Sequence, residues 1–328
     1  VTDRARHVGE AVVMVVAETK AQAMDAAELV EVDYEELPWV LHSEDAIEAG
    51  APSVWDEATD NILVDTTFGD VAATDLAFDA ADHVFKREFN IGRVTGVPME
   101  PRAALGDYNC ETGRYTLYAG SGGAVRQKGE MAAVLGVDRE KIRVLSYDVG
   151  GNFGTRNRIY VEFGLVLWAS EKLKRPVKYL ATRSEAFLSD YQGRDLVSRV
   201  ELALKKDGTF LAMRATNISN VGARCVSLSP LAKGSALITA GYNIPVATMR
   251  ALGVVTNTMP TQAYRSSGRP EVNFVIERMI ELISKDLGID KIELRRKNLL
   301  TPDVFPYRNP MNTLYDSGTY EVNMDLAM

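Results

Sequence analysis

The chain has 328 residues and a formal net charge of −8. That length suits roughly two ordinary domains, and with 46% hydrophobic and 25% charged residues it can bury a sizeable core. The acidic balance argues against a nucleic-acid partner, and no run reaches the ~18 apolar residues of a membrane span.

The two cysteines, Cys110 and Cys225, lie far apart, and His7, His42 and His83 show no paired spacing. A metal ligated directly by the protein is therefore not expected, and a reducing cytoplasm is the expected compartment.

The opening segment reads as strand, helix, strand. Val12–Ala17 is an apolar run of strand length. Thr19 with Gln22 forms a capping-box signature before the Ala-rich stretch 20–30. Glu31–Glu36 alternates as a second strand, expected parallel to the first. Residues 43–80 are acidic and poor in long apolar runs, and read as a linker.

From about residue 81 the pattern is mixed. Strands are predicted at His83–Phe89, Ala103–Asn109, Arg114–Gly120 and Lys141–Ser146. Helices are predicted from the Gly120–Gly123 loop to Leu135-Gly136, and over Val161–Lys172. Asp207-Gly208 joins two strands, 196–205 and 209–219, as a hairpin. Val272, Ile276, Met279, Ile280 and Ile283 define an amphipathic helix that Gly288 would end, and Asp290 would cap the next one. The pattern is α+β, and both ends read as cuts through a longer polypeptide.

Three constellations could carry chemistry. Gly120-Ser121-Gly122-Gly123 precedes a helix, and its amides suit a phosphate or an oxyanion; a tight turn without a ligand is the alternative. Asp148-Val149-Gly150-Gly151-Asn152-Phe153-Gly154-Thr155-Arg156-Asn157 is a glycine-rich loop with one aromatic residue. Phe153 either walls a pocket or packs into the core. Ala263-Tyr264-Arg265-Ser266-Ser267-Gly268-Arg269 places two arginines around small residues. They either bind an anion or pair with surface acids. Met99-Glu100-Pro101-Arg102 reads as a structural turn with an ion pair.

In this order the segments resemble the large subunits of the xanthine dehydrogenase, aldehyde oxidase and aerobic carbon monoxide dehydrogenase family. Val8-Gly9-Glu10 and Val32–Pro38 are similar to its hammerhead domain, giving residues 1–42. Pro98–Arg102, Asp148–Gly154, Ala263–Arg265 and Leu287–Asn298 are similar to its first molybdopterin-binding domain, giving residues 81–328.

The resemblance implies molybdopterin, as the cytosine dinucleotide, carrying molybdenum through its dithiolene. It further implies hydroxylation of an N-heterocycle or aldehyde with water as oxygen source. FAD and 2Fe-2S clusters are expected on partner subunits, and a catalytic glutamate in the remainder of the molybdopterin subunit, beyond Met328.

Residue by residue, Gly122, Gly123, Phe153, Gly154, Ala263, Tyr264, Arg265 and Ser266 match cofactor-binding positions, and Arg265 matches the family's arginine next to the cofactor, with a catalytic role implied for it. Asn157 takes the place of a substrate-binding glutamate of the purine-oxidising enzymes, which disfavours xanthine. Lys233 falls near a cationic substrate-site residue. Ser266 replaces the cysteine that marks carbon monoxide dehydrogenases. Gly122 stands where the family has a glutamine that hydrogen-bonds the metal's oxo group.

Two rival readings stay open. Gly122 motivates a non-catalytic cofactor-holding or assembly module. A simple nucleotide-binding module needs only the first glycine loop.

Overall fold

A computed structural model describes residues 3–328. In chain order it contains α1 (Lys20–Glu28), α2 (Ser43–Ala46), β1 (Ile62–Gly69), α3 (Val71–Asp79), β2 (His83–Thr95), β3 (Ala103–Asn109), β4 (Arg114–Ala119) and α4 (Ala124–Leu135). Then come β5 (Ile142–Leu145), α5 (Val161–Leu173), β6 (Val177–Leu180), α6 (Arg183–Ser189), β7 (Gln192–Leu204), β8 (Phe210–Gly222), α7 (Ser229–Ser235) and β9 (Val246–Val255). The last elements are α8 (Arg269–Leu287), α9 (Lys291–Asn298), β10 (Tyr307–Arg308), β11 (Leu314–Tyr315) and α10 (Tyr320–Ala327).

The chain forms two compact units from interleaved segments. The first holds the described residues up to Trp39, with Thr95–Gly193 and Asn257–Pro260. The second holds Val40–Val94, Arg194–Thr256 and Thr261–Met328.

The first unit is built on a four-stranded sheet in the order β5-β4-β3-β6. β3 is antiparallel to β4 and β6, while β4 and β5 are parallel. Helix α5 lies directly over β3. A Cβ at Gly106 would come within 2.6 Å of the Val166 backbone, so only glycine permits that approach. Leu117, Met131, Ile142, Phe163 and Leu167 are buried in this unit.

The expected strands Val12–Ala17 and Glu31–Glu36 do not form. The Thr19–Gln22 capping box is made on both sides and starts α1, but neither flanking segment joins a sheet among the described residues. A strand's amides and carbonyls need a neighbouring strand, and periodicity cannot supply one. Val13, Tyr34 and Leu37 are accordingly exposed, and α1 buries no residue.

The second unit carries a five-stranded sheet in the order β1-β9-β8-β7-β2. β7 and β8 form the expected antiparallel hairpin, β9 runs parallel to β8, and β1 antiparallel to β9. Helix α8 buries Val272, Ile276, Met279, Ile280 and Ile283 among Val200, Leu202, Phe210, Met213 and Met249. Gly288 ends it in the left-handed region at φ 66°, and the Asp290 carboxylate caps α9 through Ile292 and Glu293 N–H.

The stretch 43–80 is not a bare linker: it supplies α2, β1 and α3. Its acids are mostly exposed, and Asp65, the one acid on the edge strand β1, pairs with Arg250 at 2.7 Å. That solvated face accounts for a linker-like composition.

Both units hold tyrosines that resist ionisation. Burial, with Glu171 nearby, pushes the Tyr115 phenol up to about 12, and burial with Glu162 does the same for Tyr179. Burial and the Glu277 carboxylate raise Tyr242 further, and burial raises Tyr160. The unfolded chain ionises its tyrosines near ~10. The phenols therefore contribute stability that is complete below that pH and lost as pH rises towards about 12. Phenolate absorbance followed with circular dichroism against pH should show a late fraction that ionises together with unfolding. Complete titration near pH ~10 with the fold intact would contradict this.

Candidate functional site

In the first unit, β4 runs into Gly120–Gly123 and α4 starts at Ala124. The Gly123 N–H donates to Ser121 Oγ at 2.9 Å, and Ser121 N–H to Ser146 Oγ at 3.1 Å. Gly123 offers α4 no side-chain cap, and Arg126 N–H turns back to the Gly123 carbonyl at 3.2 Å, which leaves the Ala124 and Val125 amides of the first turn available.

The loop 148–157 joins β5 to α5 and is clamped by the Pro98–Arg102 segment. Glu100 Oε2 accepts from Gly150 N–H at 2.9 Å and from Arg156 Nη1 at 3.2 Å. A second arm of Arg156 reaches the Glu100 carbonyl. A Cβ at Gly150 would overlap Glu100 Cβ, so glycine is required for this contact.

Gly151, Phe153 and Gly154 all have positive φ, at 121°, 52° and 96°. A phenylalanine in the left-handed region is costly. The Phe153 ring is 44% exposed and therefore does not pack into the core. Its edge lies over Gly151 near Pro98. Asn152 Oδ1 accepts from Gly154 N–H at 2.7 Å, and Gln127 in α4 donates to the carbonyls of Arg156 and Arg158.

The turn at Glu100–Arg102 does carry ion pairs. Arg102 is buried, donates to Glu162 at 2.6 Å and to Asp190 and Ser189, and lies 4.1 Å from the Tyr160 ring centre. Burial opposes its charge, but Glu162, Tyr160 and Asp190 more than reverse this and hold the guanidinium above its ordinary range.

In the second unit, Ala263–Gly268 leads into α8. Ser266, Ser267 and Gly268 are left-handed in succession, at φ 74°, 47° and 84°. Arg194 braces the turn. It donates to the Arg265 carbonyl at 2.9 Å and to Glu271 at 2.7 Å, and its guanidinium lies 5.2 Å from the Tyr264 ring centre. The Arg265 side chain is exposed and meets no acid among the described residues. Arg269 bonds the Ser266 carbonyl at 3.2 Å.

Helix α7 adjoins this loop. Ser229 and Ser267 hydroxyls are 3.1 Å apart, and a Cβ at Gly234 would lie 3.2 Å from the Gly268 carbonyl. Lys233 is exposed on α7.

The structure thus brings Gly122 against the loop that carries Phe153, Gly154 and Asn157 in the first unit, and in the second sets α7, which carries Lys233, against Ser267 and Gly268 at the end of the Ala263–Ser266 loop. Sequence reading did not single out Glu100, Asn152, Arg156 or Arg194. The first three lay inside quoted motifs, whereas Arg194 gave no local signal.

Residues 54–299 match the molybdopterin cofactor-binding domain, and residues 1–38 match the aldehyde oxidase and xanthine dehydrogenase a/b hammerhead domain. The chain therefore belongs to the molybdopterin-binding aldehyde oxidase and xanthine dehydrogenase family.

It is 32% identical to the 6-hydroxypseudooxynicotine dehydrogenase complex subunit gamma of Paenarthrobacter nicotinovorans, over 96% of this chain and 39% of that one. It is 34% identical to the carbon monoxide dehydrogenase large chain of Afipia carboxidovorans, over 97% and 41%. The solved quinoline 2-oxidoreductase of Pseudomonas putida 86 superposes with a TM-score of 0.87 at 31% identity, over 94% and 40%. This chain spans about two fifths of the length of such relatives.

Proposed function

We propose that the chain holds molybdopterin, as the cytosine dinucleotide, within an oxidoreductase that hydroxylates an N-heterocycle or an aldehyde with water as oxygen source. The observation that carries this is the clamped loop 148–157. It holds an aromatic ring out of the core and leaves a buried amide donor, Asn152 Nδ2, without a partner. Such a loop fits a ligand rich in oxygen acceptors.

When bound, the cofactor supplies two-electron oxidation chemistry that protein side chains lack. The chain's own residues do the rest. Gly122, Gly123 and Gly154 admit a ligand close to the backbone. The first amides of α4 suit its phosphate oxygens. Phe153 walls the site and excludes water. In the second unit, the exposed side chains of Arg265 and Lys233 offer positive charge of the kind that suits a phosphate or a ring gathering negative charge.

Asn157, neutral where a purine-binding glutamate would stand, disfavours xanthine as substrate. Ser266 cannot act as the cysteine of carbon monoxide oxidation. The relatives named nicotine 6-hydroxylase and quinoline 2-oxidoreductase favour an N-heterocycle. We place FAD and iron–sulfur subunits, and the catalytic glutamate, in the remainder of a multi-subunit complex in the cytoplasm. Among the described residues no helix is long and apolar enough to cross a membrane. The simple nucleotide-binding reading finds no support in the family match.

The test is molybdenum and pterin analysis of the full complex under molybdate-replete expression. Wild type should carry both in stoichiometric amount. Arg265→Ala should lose about tenfold in cofactor affinity, the size expected for one charge-assisted contact. Absence of molybdenum from the wild-type complex would refute the proposal.

A further inference from the structure

A family glutamine at position 122 would project its side chain into a space that this chain fills differently. A Cβ placed on Gly122 would overlap Asn157 Oδ1 and lie 2.7 Å from Asn152 Nδ2. Both asparagines come from the loop 148–157, which faces the glycine loop inside the first unit.

The orientation of the Asn152 amide is set by its own hydrogen bond. Gly154 N–H donates to Oδ1 at 2.7 Å, so the other end of the amide must be the NH₂ group. That Nδ2 is buried and has no hydrogen-bond partner. A buried donor without an acceptor is unfavourable, and native folds keep few of them. Here it sits on a loop that its neighbours hold rigid. Glu100 fixes Gly150, Arg156 is bonded to Glu100 and to the Gly151 carbonyl, and Thr155 Oγ1 donates to the Asn152 carbonyl at 3.0 Å. The loop therefore cannot turn the donor out to water without breaking its own turn.

We propose that Asn152 is a cofactor-positioning residue whose Nδ2 replaces the side-chain donor missing at position 122, and donates to an oxygen of the bound molybdenum cofactor. The donor has moved from the first glycine loop to the second, and Gly122 is the gap that admits it. A glutamine at 122 and the asparagines at 152 and 157 compete for one volume, so the glycine marks an exchange of donors rather than a lost one. This rests on the assignment of the loop to the molybdenum cofactor.

Asn152→Asp tests the proposal. It keeps the size of the side chain and the oxygen that Gly154 N–H uses, and replaces the donor with a negatively charged carboxylate oxygen. Asn152→Ala removes both. In the full complex, molybdenum retained after prolonged dialysis and the Mo(V) electron paramagnetic resonance spectrum are compared with wild type, and thermal unfolding is compared for cofactor-free protein.

Asp should unfold later than Ala, because it keeps the bond to Gly154 N–H, but lose molybdenum about tenfold faster than wild type and show an altered spectrum. Ala should share that loss and unfold earlier. Asp with wild-type retention and spectrum, beside a defective Ala, would reduce Asn152 to a turn former and overturn the inference. A wild-type complex lacking molybdenum would instead overturn the cofactor assignment, and this inference with it.

Discussion

Replacing Arg102 by methionine is expected to lower the free energy of unfolding by about 3–5 kcal/mol, the range for removing one partner from a buried ion pair. Arg102 serves two carboxylates that are themselves buried, Glu162 and Asp190, with side chains 9% and 3% exposed. Methionine fills the space of the arginine stem but leaves both charges without their partner. The methionine variant would therefore leave two acids to take up protons or admit water, and Tyr160 would lose the cation over its ring.

The companion variant Arg102→Met, Glu162→Gln, Asp190→Asn removes the stranded charges and should recover a large part of the loss. The triple change would thus separate the cost of the uncompensated acids from the contribution of the pair. Urea unfolding of the three proteins is the measurement. A loss under ~1 kcal/mol for the single change would show that solvent already reaches the cluster.

The effect should extend to the loop. Arg102 follows Glu100 and Pro101, and Glu100 is the clamp on Gly150 and Arg156. Arg183 also holds this segment, donating to the carbonyls of Pro98 at 2.9 Å and Met99 at 2.6 Å. Freed of its buried anchor, the segment would hold the loop 148–157 less firmly, so weaker molybdenum retention should accompany the lost stability.

Some of this architecture was legible because its signals are local. The Thr19–Gln22 box, the Asp207-Gly208 turn, Gly288 and Asp290 each act on residues within a turn of themselves. The three loops were visible because glycine and arginine are conspicuous beside a strand or helix end. Strand pairing beyond the hairpin turns was not legible. Val12–Ala17 has strand chemistry but no neighbour among the described residues. Val246–Val255 lies between β8 and β1 with most of its residues buried on both faces, so it shows no alternation to read.

The same distinction holds at the site. Gly122 was visible as a departure from the family, but its meaning depends on Asn152 and Asn157, which reach it from another loop. The brace of Arg194 on Arg265 and Glu271 joins β7 to the start of α8, and no spacing rule connects them.

Gly268→Ala is expected to cost about 2–4 kcal/mol, from a left-handed backbone penalty of ~1 and overpacking of about 1–3. Gly268 has φ 84°, and an added Cβ would overlap the Pro230 carbonyl oxygen and lie 2.8 Å from Gly234 N. Those atoms belong to the backbone of α7 and cannot swing aside, so loop and helix must separate. Gly268→Asn divides the two contributions, because asparagine tolerates the left-handed region but carries the same Cβ. If overlap dominates, Ala and Asn should be almost equally damaging. If backbone conformation dominates, Asn should recover most of the loss.

The separation would also shift Arg265 relative to Lys233, because Ser267 and Gly268 are the points where their elements touch. Weaker cofactor retention should therefore follow, with the first unit's tyrosines still ionising late. An alanine variant within ~1 kcal/mol of wild type would mean that α7 yields readily. The joint placement of the two cations would then not depend on this glycine.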